Sequence, residues 1–155
     1  MAFSFSGLQK RVAEWESPAR EFKADVPKDC GKTICAFANT VGGLLVFGVD
    51  ANKQFVGVKA KDESSRRLRE QIDLCRPRPV LKQEFVEHEG KTFIVVAVEP
   101  FAYSQNPCFF DRKCYLRQGT TDEEIYGDAL IDFLRRRTVL NFEELKSPVK
   151  LTDLD

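Results

Sequence analysis

The feature that most constrains the fold of this chain is the run of six apolar residues at 44–49, directly after Gly42-Gly43. Side chains of a β-strand alternate between its two faces, so a strand without polar residues must be covered on both sides. Even with the two glycines, this longest apolar run is far too short to span a bilayer. The run therefore predicts a central strand between packed layers, and we expect no membrane association.

Apolar residues at helical spacing predict helices around this strand. Proline at positions 18 and 77 stops two of them, and the glycine pair ends the helix that precedes the central strand. The last predicted helix spans residues 124–136. In chain order, the inward-facing positions are Leu8, Val12 and Trp15; Ile34, Ala38 and Val41; Leu68, Ile72 and Cys75; and Ile125, Ala129, Leu130 and Phe133.

The remaining strands are predicted mostly in pairs. Residues 54–58 are expected to form a hairpin with the central strand, and residues 80–86 and 92–98 a second hairpin. Charged and apolar residues alternate over residues 21–26, which predicts a strand with one solvated face, and residues 114–117 form a further short strand. Paired strands between helices favour a mixed, mainly antiparallel sheet with helices packed on it, an α/β fold of the α+β kind.

The length of 155 residues fits one domain that buries its own core. We place this domain at residues 1–140 and expect residues 141–155 to be a polar C-terminal tail. The N-terminus lacks both a sustained apolar core and a small-residue cleavage site, which predicts an intracellular, cytoplasmic protein. Five cysteines, without the spacing of a disulfide scaffold, fit a reducing compartment in which they are buried apolar groups.

Several catalytic chemistries are excluded by composition. His88 is the only histidine, which rules out histidine pairs and argues against Ser-His catalysis. No C-x-x-C pair is present, so a zinc site would have to collect scattered ligands. Gly31-Lys32-Thr33 resembles the end of a P-loop, but Val26 stands where that motif needs its first glycine. Helix packing is the default role of this tripeptide, with anion binding by Lys32 as the alternative.

Charge is balanced overall but unevenly distributed. The 24 basic and 24 acidic residues give a formal net charge of zero, so the total charge does not predict a polyanionic partner. Residues 59–82 nevertheless hold eight basic and four acidic residues, whereas residues 122–132 hold five acidic and no basic ones. Such runs are commonly the solvated faces of helices.

Three carboxylates are the more informative charged residues. Glu16 and Glu21 lie five positions apart, but Pro18 breaks the element between them, so their side chains can converge. Asp50 follows the central strand at the point where that strand leaves the sheet. Three acids at one end of a sheet suit Mg²⁺ or Mn²⁺, which accept a few carboxylates and keep open positions for water and phosphate. From spacing alone, the same residues could equally cap or solubilise the ends of elements.

A longer set of motifs surrounds these acids. It consists of Glu16-Ser17; Glu21-Phe22-Lys23; residues 34–43 with the sequence ICAFANTVGG; and Phe47-Gly48-Val49-Asp50. In this order the motifs resemble the AlbA-like domain of the Schlafen family. A looser similarity continues through residues 115–121, YLRQGTT, so that the resemblance covers most of residues 8–137.

The resemblance implies a function and assigns residues to it. Nuclease members of the family cut tRNA and rRNA with an acidic triad and a divalent metal, so it implies a metal-dependent endoribonuclease. Carried over by motif, the triad is Glu16, Glu21 and Asp50, which would act as catalytic residues and as ligands of Mg²⁺ or Mn²⁺. The resemblance also gives basic side chains a role in contacting the phosphate backbone of RNA. These are Lys23, Lys59, Lys61, Arg66, Arg67, Arg112, Lys113 and Arg117.

Two departures from the family pattern leave alternatives open. Animal members contain two such lobes that form a groove, whereas this chain has one, so we expect a homodimer or a partner lobe to complete the groove. Many microbial members are described only as DNA-binding domains of regulators. A non-catalytic module that binds DNA or RNA is therefore the alternative function, and a subunit that only completes a partner's groove is a third.

Overall fold

The computed structural model describes residues 3–102 and 107–146, with side chains described as far as residue 137. In chain order the elements are α1 (Phe5–Glu14), β1 (Arg20–Lys23), α2 (Gly31–Asn39), β2 (Gly43–Phe47), α3 (Lys61–Asp73), β3 (Cys75–Arg76), β4 (Leu81–His88), β5 (Lys91–Val98), β6 (Phe109–Phe110), β7 (Cys114–Gln118), β8 (Thr121–Ile125) and α4 (Gly127–Lys146).

Four strands form the main sheet in the order β1-β2-β5-β4. The β1 and β2 strands run parallel, and the two other pairings are antiparallel. The sheet is therefore mixed and mainly antiparallel, as predicted, and β2 lies inside it. Leu45, Val46 and Phe47 are fully buried, which confirms that the apolar run forms a central strand with both faces covered.

The two faces of the sheet carry different layers. On one face, Leu8 and Val12 of α1 pack with a group of sheet residues that includes Phe22, Val46 and Phe93. On the other face, α2 packs over a second group of sheet residues that includes Leu45, Phe47 and Ile94. Each fully buried aliphatic or aromatic side chain of this kind contributes about 1.5–3 kcal/mol relative to exposure. The helix-sheet-helix layering thus fixes which face each residue of β1 points to.

Helix α2 is the most enclosed element of the described chain. All of its residues except Lys32 are buried, because α3 and the two short ladders β3–β6 and β7–β8 cover the side away from the sheet. The five cysteines are free and buried, as expected. Burial raises the pKa of the Cys30 and Cys114 thiols to about 12, so neither is a nucleophile near neutral pH.

The structure corrects several predicted elements. Residues 54–58 do not form a strand, since Gly48 turns the chain out of the ladder at φ 116° and only an isolated bridge joins Val49 to Phe55. The partner of β2 is β5 instead. Val41 lies outside α2 and is 64% exposed, although it was expected to face inward. Ile125 belongs to β8, an unpredicted strand, rather than to the last helix.

The last helix ends later than the predicted span of residues 124–136. Helix α4 continues to Lys146, past the limit of 140 that we set for the domain. Residues 147–155 of the predicted tail lie outside the described residues. Among the helices of the described chain, none has both the length and the apolar character to cross a bilayer.

Candidate carboxylate site on the edge strand

The site is built on β1, which is an edge strand of the main sheet. Phe22 belongs to the core on the α1 face, so the alternation of side chains places Glu21 and Lys23 on the α2 face. In register, Glu21 lies opposite Leu45 of β2, whose side chain packs beneath α2. The predicted solvated face of this strand is therefore partly buried, because α2 and the β7–β8 hairpin cover it.

Glu21 is a buried carboxylate held by two cations. Its side chain is 8% exposed, Arg117 Nη2 lies 2.8 Å from Oε1, and Lys23 Nζ lies 3.1 Å from Oε2. Burial alone would lower the pKa of Lys23, but Glu21, Glu16 and Asp122 together raise it above its ordinary value. Lys23 therefore stays protonated and compensates the charge of Glu21.

Glu16 lies beside this pair, in the segment that joins α1 to β1. Its Oε2 accepts a hydrogen bond of 3.1 Å from the backbone N–H of Phe22. Burial raises the pKa of Glu16, and the charge and hydrogen bonding of Glu21 raise it further, against the opposing effects of the Phe22 N–H and Lys23. The fold thus holds two carboxylates close together, where the charge of Glu21 makes ionisation of Glu16 less favourable.

Arg117 of β7 is the centre of the buried charge cluster. Its side chain is 1% exposed, and its Nη1 lies 2.9 Å from Asp122 Oδ1 while Nη2 contacts Glu21. Nη2 also donates to the backbone carbonyls of Ser17 and Arg20, at 3.0 and 3.1 Å. The prediction that Arg117 contacts a phosphate backbone is wrong for this conformation, because the guanidinium is enclosed by protein.

Asp122 and Thr33 are members of this cluster that sequence reasoning missed. Thr33 of α2 donates a hydrogen bond to Asp122 Oδ2, which links the hairpin to the central helix. Arg117 and Asp122 are direct cross-strand partners in the β7–β8 register. The sequence contains a pattern that predicts this pair. Gly119-Thr120 favours a hairpin turn, and a hairpin with this turn places Arg117 opposite Asp122.

Asp50 does not join Glu16 and Glu21. Its Oδ1 accepts hydrogen bonds of 2.9 Å from the backbone N–H groups of Asn52 and Gln54, so it caps the turn after the central strand. In the part of the chain that the structure describes, no three His, Cys, Asp or Glu side chains are arranged to hold a metal ion. The expected three-acid set is therefore not assembled among these residues, and Asp50 caps its own turn instead.

A smaller donor set remains on the edge strand. Glu16 and Glu21 offer two carboxylates, and Mg²⁺ commonly binds one or two carboxylates while keeping waters and substrate phosphates as its other ligands. Lys23 occupies Oε2 of Glu21, and its own side chain is 42% exposed. Glu16 and Glu21 can bind a divalent cation only if the Lys23 ammonium moves away from Glu21. The predicted site of three carboxylates does not agree with the structure, because Asp50 is not part of it.

The other predicted basic residues fall in two places. Around the start of α3, Lys61 is paired with Glu87 and Arg66 with Glu70, while Arg67 is shared between Asp25 and Glu63. The exposed Lys59 is adjacent to them. Arg112 and Lys113 are exposed in the turn between β6 and β7, where Arg112 lines a cavity of about 490 Å³ with Arg76 and Asp73. The predicted residues thus do not form one continuous groove.

Fold and site together define a mixed α/β domain with a buried carboxylate–arginine cluster beneath its edge strand. The sequence matches the family described as Schlafen, AlbA_2 over residues 16–126, a span that contains both the cluster and the sheet. The chain therefore belongs to the Schlafen AlbA_2 family. No curated protein sequence matches the chain.

Two solved structures share the fold. The N-terminal domain of an ATP-dependent DNA helicase RecG-related protein from Nitrosomonas europaea is 26% identical, with a TM-score of 0.53, over 77% of this chain and 91% of that one. The DIP2311 protein from Corynebacterium diphtheriae is 16% identical, with a TM-score of 0.53, over 84% of this chain and 32% of that one. This chain spans about a third of the DIP2311 protein, and at that identity the likeness concerns the fold alone.

Proposed function

We propose that this domain acts on nucleic acid as a metal-dependent endoribonuclease, with structured RNA such as tRNA or rRNA as its substrate. The observation that carries the proposal is the pairing of Glu16 with Glu21 beside the half-exposed Lys23. Two carboxylates held together in a partly buried place need nearby positive charge, which Arg117 and Lys23 supply here, and such arrangements are concentrated at functional sites. Family membership and the helicase-related neighbour support a nucleic-acid substrate.

In this proposal each residue has a defined part. Glu16 and Glu21 would hold Mg²⁺ or Mn²⁺, which when bound supplies a more acidic water and a counter-charge for the leaving oxygen. Lys23 would exchange its contact with Glu21 for a phosphate oxygen of the RNA, which its exposed ammonium can reach from solvent. Arg117 would keep Glu21 oriented from the buried side through their 2.8 Å contact.

One observation favours a second candidate, a non-catalytic domain that binds RNA or DNA. Glu21 is already compensated by Arg117 and Lys23, and Asp50 is engaged in its own turn. A site in that state is stable without a metal, and the exposed Lys59, Arg112 and Lys113 could still contact phosphates.

A cleavage assay separates the two candidates. The purified protein is incubated with tRNA, single-stranded RNA and DNA, in Mn²⁺ or in EDTA, beside Glu16→Gln and Glu21→Gln. We expect cutting of RNA only with Mn²⁺, and a loss of about a hundredfold or more in each variant. If the wild type binds RNA in a gel-shift assay but cuts nothing, the non-catalytic function is correct.

A further inference from the structure

Strand β4 is the second edge of the main sheet. It pairs with β5 along its whole length of eight residues, and no other strand of the described residues lies on its outer side. Phe85 within it is 41% exposed, and the preceding Val80 is 54% exposed. A long edge strand with exposed apolar side chains is a template for pairing with another strand.

The backbone of β4 has free groups at defined positions. The carbonyl of Val80 accepts a hydrogen bond of 2.9 Å from the Glu99 N–H, so the polar groups of Val80 point toward β5. In an antiparallel ladder successive residues point their N–H and C=O groups alternately to the two sides. Leu81, Gln83, Phe85 and Glu87 therefore direct four donors and four acceptors away from β5, toward the open edge.

A second copy of this chain is the partner whose chemistry matches this edge. A two-fold axis perpendicular to the sheet pairs β4 with the β4 strand of the other copy in antiparallel orientation. The axis keeps the α1 faces of both copies on the same side of the joint sheet. Residues that face each other across the axis must therefore have side chains on the same face, so their sequence numbers differ by an even number. Three central registers satisfy this condition, and they are centred on Gln83, Glu84 or Phe85. Centring on Glu84 sets two carboxylates against each other, which is unfavourable.

The register centred on Gln83 is complementary on both faces. On the α1 face it sets Lys82 opposite Glu84 twice, because the axis repeats each contact. On the α2 face it sets the half-buried Leu81 opposite the exposed Phe85 twice. We propose that two copies of the chain associate through β4, antiparallel and in this register, to form a continuous eight-stranded sheet.

The proposed dimer has a consequence for the carboxylate site. The strand order would be β1-β2-β5-β4 followed by its mirror order in the partner, so the two β1 strands are the outer edges. Seven strand spacings of about 4.8 Å separate them by roughly 34 Å along the sheet. Each copy therefore keeps its own Glu16–Glu21 pair away from the dimer interface, and the two copies do not merge their sites into one groove.

Charge reversal tests the association. Sedimentation velocity over a concentration series compares the wild type with Lys82→Glu, Glu84→Lys and the double variant, with Lys10→Glu on the exposed side of α1 as the control. We expect each single reversal to weaken dimerisation by roughly tenfold or more, because it creates two like-charge pairs. The double variant restores opposite charges and should dimerise like the wild type. A wild type that stays monomeric at every concentration overturns the proposal.

Disulfide trapping tests the register separately. The native cysteines are buried, so single substitutions Gln83→Cys, Glu84→Cys and Phe85→Cys report on the edge alone. Facing residues at the two-fold axis have Cα atoms about 5.5 Å apart, within the range that a disulfide spans. The register centred on Gln83 predicts that Gln83→Cys is trapped fastest as a covalent dimer on a non-reducing gel. Faster trapping of either other variant contradicts this register.

Discussion

At the scale of single residues, the site depends on how the fold compensates charge. Glu21 is enclosed with a guanidinium on one side and an ammonium on the other, whereas Glu16 has a backbone N–H and a neighbouring carboxylate. The motifs identified both glutamates from sequence because they stand at fixed positions around Pro18. Sequence could not show that Arg117 is buried, since its enclosure depends on the packing of β7 against β1 and α2.

Replacing Arg117 tests whether it is a structural anchor or a surface contact. Arg117→Met leaves Glu21 and Asp122 buried without their shared cation, which typically costs about 3–5 kcal/mol. The exposed Arg112→Met is the matched control and should change the free energy of unfolding by less than about 0.5 kcal/mol. Urea denaturation of both variants measures the difference. Equal stability of the two variants would contradict the buried role of Arg117.

The raised pKa of Glu16 predicts how its replacement affects stability with pH. Because burial and Glu21 raise the pKa, the folded protein binds this proton more tightly than the unfolded chain does. The contribution of Glu16 to the free energy of unfolding is therefore present at pH values below its ordinary pKa. This contribution is lost as the pH rises through the raised pKa of the folded protein. Glu16→Gln should melt at a higher temperature than the wild type at neutral pH, and the gap should shrink as the pH is lowered toward 4.

Asp25 gives the opposite pH dependence. Burial acts to raise its pKa, but hydrogen bonds from the Lys59 N–H, Ser64 Oγ and the Val26 N–H, together with Arg67, lower it. Its stabilising effect is therefore present above the ordinary pKa and is lost as pH falls below it. Asp25→Ala should cost about 2 kcal/mol at neutral pH and lower the melting temperature by roughly 4–8 °C. Calorimetry at neutral and acidic pH should show that this cost diminishes in acid.

At the scale of elements, sequence patterns identified what depends on local periodicity. The central strand, α1, α3 and the β4–β5 hairpin follow from apolar spacing and turn residues, and the structure confirms them. The hairpin predicted for residues 54–58 is wrong because the choice of strand partner is non-local. β5 supplies a full row of apolar side chains opposite β2, which residues 54–58 do not. The same reason explains why the third acid of the cluster is Asp122 rather than Asp50.

The start of α2 shows how a motif can serve packing alone. Gly31 donates its N–H to Gln71 Oε1 at 3.0 Å, and a Cβ at this position would lie 2.1 Å from Phe110 Cε1. Helix packing, the default role, therefore accounts for this glycine. Gly31→Ala should lose about 1–3 kcal/mol through overpacking. Gly7→Ala in α1 is the matched control, because its Cβ meets only side-chain atoms and alanine favours helix by up to about 1 kcal/mol. Thermal melts that rank the two variants the other way would refute this packing role.

At the scale of the whole molecule, the candidate phosphate-contacting residues and the carboxylate site lie on different parts of the fold. The carboxylate pair is on the β1 edge, the α3 basic residues are mostly paired with acids, and Arg112 and Lys113 are exposed near β7. The charge pattern of the sequence does not show which basic side chains are paired with acids and which are free to contact RNA. Pairing depends on tertiary contacts such as that of Lys61 with Glu87.

Removing the available cations should weaken RNA binding in a salt-dependent way. Each phosphate contact contributes a slope of about 0.7–0.9 in a plot of log affinity against log salt. Arg112→Ala with Lys113→Ala should reduce the magnitude of that slope by roughly 1.4–1.8, while Arg66→Ala, whose cation is paired with Glu70, should change it little. Fluorescence anisotropy over a salt series measures both slopes, and equal effects of the two changes would count against this distinction.

We propose that Glu16 and Glu21, without Asp50, form the working site. The most direct measurement is the single-turnover rate of RNA cleavage in Mn²⁺ for Glu21→Gln and Asp50→Asn, at a temperature where circular dichroism shows both to be folded. We predict a loss of about a hundredfold or more for Glu21→Gln and a rate within a few-fold of the wild type for Asp50→Asn. An equally large loss in Asp50→Asn, or wild-type cleavage by Glu21→Gln, would contradict the claim.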